Sequence, residues 1–159
     1  MLSVFSDEYY MKQAYHEAQA ALEADEIPIG AVVVCNNKII ARAHNQTETL
    51  NDVTAHAEML AITAAANALG AKYLDECTLY VTLEPCPMCA GAIVLARIDT
   101  VVWGLDDPKR GGGTTFDIFG HPGINHHPEI VRGVMEEPCK AVLQSFFRAR
   151  RAAKGDMTA

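Results

Sequence analysis

The chain is organised around two stretches of sequence, Thr54-Ala55-His56-Ala57-Glu58 and Pro85-Cys86-Pro87-Met88-Cys89. His56, Cys86 and Cys89 offer an imidazole and two thiols, which are side chains that Zn²⁺ prefers as ligands. Three protein ligands leave the fourth tetrahedral position open for water, as in catalytic zinc sites, whereas a fourth Cys or His usually closes a structural site. The pattern therefore predicts a catalytic site with one Zn²⁺ per subunit.

Glu58 follows His56 by two residues, close enough to share this site without binding the metal. Zinc supplies a hydroxide nucleophile by lowering the pKa of water to near neutrality, and a neighbouring carboxylate can move the proton to a leaving nitrogen. We therefore expect Glu58 to be the catalytic acid–base group. A CxxC motif alone is as often structural or redox-active, but the upstream His-x-Glu and the prolines on both sides of Cys86 favour a catalytic zinc.

His-x-Glu followed by Pro-Cys-x-x-Cys is the signature of the zinc nucleobase deaminases. With residues 27–32, 80–92 and 146–151, the sequence resembles the bacterial tRNA adenosine deaminases, and this resemblance extends over residues 7–151. It implies the cytidine deaminase-like fold, a homodimer, a tRNA anticodon stem-loop as partner and no organic cofactor. The implied reaction is zinc-dependent hydrolytic deamination of adenosine to inosine in RNA, at the wobble position of a tRNA anticodon.

The same resemblance assigns roles around the target nucleoside. Asn45 matches the asparagine that hydrogen-bonds the nucleoside, and Ile29 and Leu83 match apolar residues that wall the base. Asp107 and Lys109 match positions that contact the neighbouring nucleotides. From the residues alone, Asn45 is equally a turn residue, and Ile29 and Leu83 are equally ordinary strand residues.

Further contacts to the base or the RNA are implied for one backbone amide near the zinc ligands, for a loop over residues 121–126 and for the basic end of the chain. The residues concerned are Ala57, His121, Asn125, Arg148, Arg150 and Arg151. The terminal arginines have an alternative interpretation as the solvated face of an amphipathic helix. His121, together with His126 and His127, is expected to contact solvent or a polyanion rather than a second metal.

The sequence departs from the family pattern at three positions next to the predicted loop contacts Asp107 and Lys109. These are Leu105, Asp106 and Pro108, and they affect the fit of the flanking nucleotides rather than the chemistry.

Composition restricts the class of protein. Half of the 159 residues are apolar and 21% are charged, so we expect residues 1–159 to form a single zinc deaminase domain. No apolar run reaches the ~18 residues of a membrane span, and no secretory signal is apparent. Five cysteines, two of them in the CxxC, favour a reducing compartment, so we expect a cytoplasmic protein with Cys35, Cys77 and Cys139 as core or near-surface thiols. The net charge of −7 limits any basic RNA footprint to a local stripe.

Hydrophobic periodicity predicts four helices. The first covers residues 7–25, the second runs from an N-cap at Asp52 or Thr54 to residue 69, the third covers 87–97 and the last begins at 136. The tail beyond residue 154 is expected to fray. The same periodicity predicts strands over 27–35, 38–43, 77–83, 100–104 and 129–134. This order predicts an α/β fold, a three-layer α/β/α sandwich with a mixed five-stranded sheet. Residues 111–113 are expected to form a flexible glycine hinge. Residues 88–96 are apolar on nearly every side, which favours burial between the sheet and a second subunit.

Two alternatives to this function remain. The same zinc chemistry on a free base or nucleoside, such as guanine, cytosine or cytidine, agrees with the acidic net charge. A non-catalytic, zinc-bound scaffold that binds RNA would have no use for Glu58 as a proton carrier.

Overall fold

The computed structural model describes residues 5–157, with side chains described up to residue 155. In chain order, the elements within that range are α1 (Asp7–Glu23), β1 (Gly30–Cys35), β2 (Lys38–His44), α2 (Ala57–Leu69), β3 (Cys77–Leu83), α3 (Pro87–Ala96), β4 (Thr100–Leu105), β5 (Glu129–Arg132) and α4 (Glu136–Met157). None of these helices has the combination of length and apolar character needed to cross a membrane.

The five strands form one mixed sheet in the order β2-β1-β3-β4-β5. β1 is antiparallel to both β2 and β3, whereas β3, β4 and β5 are parallel. The β1–β2 hairpin turns at Asn36 and Asn37, whose φ angles of 51° and 62° are left-handed values that asparagine tolerates. Parallel neighbours need a long crossover, which α3 supplies between β3 and β4. The expected mixed five-stranded sheet is confirmed.

Helices cover both faces of the sheet, which confirms the α/β/α sandwich. Successive side chains of a strand point to opposite faces. Val32 and Val34 of β1 therefore pack with α1 and with Cys139 of α4. Ala31 and Val33 pack on the other face with α2 and α3. Because both faces of β1 are buried, its sequence is a continuous apolar run rather than an alternating one.

The beginning of α2 differs from the expectation. The predicted N-caps were Asp52 and Thr54, but the N-cap is His56, with an extended backbone (φ −72°, ψ 152°) and the helix beginning at Ala57. The Asp52 carboxylate instead accepts hydrogen bonds from the Thr54 N–H and hydroxyl, both at 2.8 Å. Asp52 therefore closes a turn ahead of the helix, and His56 is the cap rather than a residue inside the helix. The predicted C-cap, Gly70, is left-handed, with φ of 64°.

Two strand ends also differ. β1 begins at Gly30 rather than at residue 27, because the Ile29 N–H is bonded to the Ile27 carbonyl (2.8 Å) in a tight turn. β5 ends at Arg132, because Gly133 adopts a left-handed φ of 79° that turns the chain out of the sheet.

α4 begins where the sequence predicts and continues to Met157, so it includes most of the tail expected to fray. The last two residues of that tail lie outside the described range. Val142, Leu143 and Phe146 are buried on one side of the helix. Phe147 follows Phe146 but is exposed, because one residue rotates the helix by about 100°.

Glu26 is a fully buried carboxyl group at the end of the α1 segment. It accepts hydrogen bonds from the Glu48 N–H (3.0 Å), the Thr49 N–H (2.7 Å) and the Thr49 hydroxyl (2.6 Å). Burial alone would raise the pKa of Glu26, but the bonds from Thr49 and Glu48 outweigh it and hold that pKa below its ordinary value. The polar loop between β2 and α2 is therefore anchored to α1.

We expect Glu26→Gln to lower the free energy of unfolding at pH 7 by about 1–3 kcal/mol, because an amide cannot accept all three of these bonds. The folded-state pKa is depressed, so this stabilisation is complete above the ordinary glutamate pKa and is lost as the pH falls through the folded value. Urea unfolding of both proteins at pH 7 and at decreasing pH measures the difference, which should shrink on acidification. Exposed Glu23→Gln is the matched control, and equal stabilities of wild type and Glu26→Gln at pH 7 would contradict the assignment.

Candidate metal centre and active site

The structure brings together the three predicted ligands, His56, Cys86 and Cys89. His56 Nδ1 lies 3.6 Å from the Sγ atoms of both cysteines, and the three ligand atoms lie within 4.8 Å of one another. A tetrahedral ion with metal–nitrogen and metal–sulfur bonds of about 2.1 and 2.3 Å would hold such atoms about 3.6 Å apart. The donor set and its spacing therefore fit a three-ligand metal site.

Two helix N-termini position these ligands. His56 is the N-cap of α2 and Cys86 is the N-cap of α3, both with extended backbone, while Cys89 lies in the first turn of α3. Pro87 occupies the first helical position, where no N–H is needed. The partial positive charge of a helix N-terminus favours an ionised thiol. Both helices therefore begin at the metal centre and support the form of the cysteines that binds metal.

The pKa values of the two cysteine thiols shift in opposite directions. A hydrogen bond from Cys89 lowers the pKa of the Cys86 thiol to about 4. The same hydrogen bond, together with burial, raises the pKa of Cys89. Hydrogen bonding to Cys86 also raises the pKa of His56. Because a metal ion requires both thiolates and a neutral imidazole, its binding would release protons from this cluster.

Glu58 lies in the first turn of α2 and is only 4% exposed. Burial raises the pKa of its carboxyl group to about 7, with opposing contributions from its backbone hydrogen bond and from His56. A carboxyl group that titrates near neutral pH can both take and give a proton under physiological conditions. The position and the pKa of Glu58 therefore suit an acid–base group beside the metal ligands.

Three of the expected base contacts lie in one row across the sheet. β1 pairs with β2 so that Gly30 faces His44, and with β3 so that Ala31 faces Val81. Continued by one or two positions, these registers place Ile29 between Asn45 and Leu83, and the Asn45 N–H is bonded to the Ile29 carbonyl (3.0 Å).

This row lies beside the metal centre. Leu83 precedes Cys86 by three residues, and Ala57 directly follows His56. Asn45 is buried, and within residues 5–157 its side-chain amide has no hydrogen-bond partner. The structure therefore brings Ile29, Asn45, Ala57 and Leu83 to the end of the sheet where the ligands lie.

The expected glycine hinge is wrong. Gly111 and Gly112 are buried, and the Gly112 N–H is bonded to the Pro85 carbonyl (2.7 Å). Gly113 donates its N–H to a side chain, the Glu84 carboxyl group, at 3.0 Å. The glycines allow this loop to pack closely on residues 85–89, which we call the metal-ligand turn, because a Cβ atom on Gly112 would lie 2.7 Å from the Ala90 Cβ. They serve close packing rather than hinge motion.

Asp107 and Lys109 lie in the loop after β4, on the same side as this packed segment. The Asp107 carboxylate accepts a hydrogen bond from the Lys109 N–H (3.1 Å). Asp106, a departure from the family pattern, accepts hydrogen bonds from Trp103 Nε1 (2.7 Å) and from Arg132, to which it is also ion-paired. Asp106 therefore has a structural role between β4 and β5.

The three histidines after this loop have separate partners. His121 Nδ1 accepts a hydrogen bond from the Gly123 N–H (2.8 Å). His126 Nε2 contacts the Ile98 carbonyl and His127 Nδ1 contacts the Phe119 carbonyl, at 2.7 and 2.8 Å. Asn125 is exposed next to them. These contacts fix the histidine loop to the protein backbone.

The terminal arginines lie on α4, on the face of the sheet opposite to α2 and α3. Arg150 donates to the Asp25 carbonyl (3.2 Å), and its guanidinium lies 4.9 Å from the centre of the Phe146 ring. Arg148 Nε contacts the Gln144 carbonyl (3.4 Å), and Arg151 is exposed. The structure does not bring these arginines to the metal centre.

The remaining thiols lie away from the ligand cluster. Cys77 and Cys139 are buried and Cys35 is half-buried, which confirms their prediction as core or near-surface thiols. Cys35 faces Cys77 across the β1–β3 pairing, at the end of the sheet remote from the ligands.

Sequence reasoning missed two buried acidic residues, Glu26 and Glu84, that hold loops on either side of the site. Glu84 is 2% exposed and accepts hydrogen bonds from both ends of the loop after β4. The sequence did contain a signal for Glu84, which is a glutamate at the end of an apolar strand and directly before a proline. A carboxyl group at the end of a buried strand requires hydrogen-bond partners if it faces the core.

Comparison with known proteins agrees with this geometry. Residues 5–151 match the MafB19-like deaminase family. A tRNA-specific adenosine deaminase of Bacillus subtilis is 54% identical over 93% of this chain and 92% of its own length. A solved structure from work on A-to-I editing by tRNA:A34 deaminases at the wobble position of transfer RNA has a TM-score of 0.83 and 46% identity, over 85% of this chain and 99% of that one.

A more distant structure shares the fold alone. A guanine deaminase from Nitrosomonas europaea has a TM-score of 0.74 at 21% identity, over 89% of this chain and 84% of that one. The resemblance first indicated by His-x-Glu and Pro-Cys-x-x-Cys is therefore confirmed along nearly the whole sequence, and the chain belongs to the tRNA-specific adenosine deaminases of the MafB19-like deaminase family.

Proposed function

We propose that this protein is a zinc-dependent enzyme that hydrolytically deaminates adenosine to inosine at the wobble position of a tRNA anticodon. The observation that carries the proposal is the cluster of His56, Cys86 and Cys89 beside buried Glu58, in a chain 54% identical to a tRNA-specific adenosine deaminase. The substrate would place this enzyme in the cytoplasm.

His56, Cys86 and Cys89 would hold one Zn²⁺ per subunit. Zinc in such a site makes water a nucleophile at neutral pH. Glu58 takes a proton from the water that attacks C6 of adenine. It delivers this proton to the adjacent ring nitrogen, then takes the remaining proton of the oxygen now bound to C6 and delivers it to the amino group, which leaves as ammonia while the C6 carbonyl forms. Its pKa of about 7 suits both directions of transfer.

The row of residues across the sheet end would receive the base. Ile29 and Leu83 offer apolar walls, and the Ala57 backbone amide lies beside the ligands. No group within residues 5–157 is hydrogen-bonded to the Asn45 side chain, so its amide is available to the base. An anticodon loop suits this site, because extracting a loop base costs less than extracting one from a duplex.

The RNA around the base would contact exposed polar and charged groups near the site and on α4. These are Asp107, Lys109, His121, Asn125, Arg148 and Arg151, with Arg150 in a supporting role because it is engaged with Asp25. Such a local footprint is compatible with the net charge of −7.

A second copy of the chain would cover α3. Leu95, near the end of α3, is 78% exposed, and Val53, in the loop before α2, is 85% exposed. Helix α3 contains no charged residue within its bounds, and apolar surface of this kind is typical of subunit interfaces. We therefore propose a homodimer.

The function is tested by offering zinc-loaded protein an anticodon stem-loop with a wobble adenosine, beside free adenosine, guanine, cytosine and cytidine. Mass spectrometry after nuclease digestion identifies the products. Inosine from the stem-loop alone is expected. Deamination of a free base or nucleoside with an untouched stem-loop would replace the substrate class but retain the zinc chemistry, in agreement with the shared fold of guanine deaminase.

Glu58→Gln should lower the single-turnover rate by about 10²–10⁴-fold, the usual contribution of a positioned acid–base group. Zinc content should remain at the wild-type level, because Glu58 is not a ligand. Normal deamination by this variant would show that another group moves the proton. Turnover by wild type that is lost in the variant, with zinc intact in both, would instead exclude a non-catalytic scaffold.

Cys89→Ser should reduce bound zinc to well below one ion per subunit and lower the melting temperature, because the thiolate contributes to metal affinity and metal binding stabilises the fold. Cys35→Ser is the matched control, a half-buried thiol at the other end of the sheet. Elemental analysis and thermal denaturation check both variants. Full zinc occupancy in Cys89→Ser would remove this residue from the ligand set.

Leu95→Glu should convert the dimer to a monomer, because it places a charge in the apolar interface. Sedimentation equilibrium of wild type and variant measures the change. An exposed residue on α1, Gln19→Glu, provides the control for added charge. A monomeric wild-type protein would overturn the proposed dimer.

A further inference from the structure

Glu84 connects the end of β3 to the turn that carries Cys86. Its N–H is bonded to the Leu105 carbonyl (2.8 Å), which continues the pairing of β3 with β4. Its side chain is 2% exposed, and within residues 5–157 no lysine or arginine is ion-paired with it. A buried carboxyl group in such a position depends on hydrogen bonds.

Those hydrogen bonds come from both limbs of the loop that follows β4. Glu84 Oε1 accepts from the Asp107 N–H (2.9 Å) on the first limb. Oε2 accepts from the N–H groups of Gly113 (3.0 Å) and Thr114 (2.6 Å) on the second. The Thr114 hydroxyl adds a bond to Oε1 at 2.8 Å. One carboxyl group therefore closes the loop.

The middle of the same loop is packed on the metal-ligand turn. A Cβ atom on Gly111 would lie 2.3 Å from Glu84 Oε2, and one on Gly112 would lie 3.0 Å from the Cys86 carbonyl oxygen. No larger side chain fits at either position. The loop and the metal-ligand turn therefore form one packed unit with Glu84 between them.

This unit presents two adjacent cations, Lys109 and Arg110, which we call the cationic turn. Both are exposed, and the Asp107 carboxylate accepts their backbone N–H groups at 3.1 Å each. Within the described residues, neither charged side chain has an ion-pair or hydrogen-bond partner. The cationic turn directly precedes Gly111 and Gly112, which pack on Glu84 and on the Cys86 carbonyl, so it is held next to the segment that carries a metal ligand. Its exposed cations suit an RNA phosphate.

We propose that Glu84 is a positioning residue that holds the cationic turn against the phosphates next to the target adenosine, and that Arg110 binds RNA together with Lys109. This inference rests on the proposed function. Glu84 then acts through the loop on RNA affinity and does not take part in the chemistry.

Glu84→Gln tests the proposal, because its NH₂ group cannot accept the converging N–H groups. We expect the dissociation constant of the anticodon stem-loop, measured by fluorescence anisotropy, to rise about tenfold, as for the loss of one or two phosphate contacts. The single-turnover rate at saturating RNA should stay within about threefold, and zinc content should be unchanged. Zinc loss, or a saturating rate that falls while affinity is retained, would overturn the proposal.

The same substitution is then measured in the double variant Lys109→Ala/Arg110→Ala, which lacks both charges of the cationic turn. If Glu84 acts through the cationic turn, Glu84→Gln in this background should change the dissociation constant by less than about twofold, as expected for residues that share one interaction. The dependence of RNA affinity on salt concentration should also be weaker than in wild type, both for Lys109→Ala/Arg110→Ala and for Glu84→Gln. The same tenfold loss in both backgrounds would show that Glu84 acts elsewhere.

Thr114→Val provides a second test if Glu84→Gln does not fold, because it removes only the hydroxyl donor. Weaker RNA binding in the wild-type background, and not in Lys109→Ala/Arg110→Ala, supports the proposal, whereas unchanged binding overturns it. The affinity measurements are independent of turnover. Absence of inosine with wild-type protein would therefore refute the proposed function, while the comparison of dissociation constants would still decide the role of Glu84.

Discussion

The antiparallel pairing of β1 with β3 is the constraint on which the site depends. It places Ile29 next to Leu83, and the Gly30 N–H donates to the Thr82 hydroxyl (3.2 Å) at the same point. A slip of one residue between β1 and β3 would place these two apolar side chains on opposite faces of the sheet. The helix α1 reinforces this register, because a Cβ atom on Gly30 would lie 2.0 Å from the Ala14 carbonyl oxygen. Only glycine allows the helix to pack directly on the strand.

The metal centre is added to this frame by the beginnings of two helices. α2 and α3 start at His56 and Cys86, so their backbone dipoles converge on the ligands from different directions. This arrangement requires β3 to end just before α3, and the loop after β2 to end just before α2. The positions of the ligands therefore follow from where β3 ends and from where α2 begins.

The fold and the ligand set were predictable from sequence for a physical reason. The apolar runs, Gly70 as C-cap and Pro87 as first helical residue are local signals, and the ligands are recognised by their chemical type. The loops were less predictable, because their order comes from groups distant in sequence. Glycines 111–113 look flexible until Glu84, about 30 residues earlier, is found to bind their segment. Asp52 is a good helix cap in isolation, but it closes a turn instead.

The two buried carboxyl groups, Glu26 and Glu84, anchor the loops on each side of the row formed by Ile29, Asn45 and Leu83. Loops held by such bonds are already ordered before a ligand arrives, so little of their conformational entropy remains to be lost on binding. The entropy cost of forming the complex then falls mainly on the nucleic acid. Under the proposed function, RNAs would then be discriminated by how readily each one exposes a base, rather than by a change in the shape of the protein.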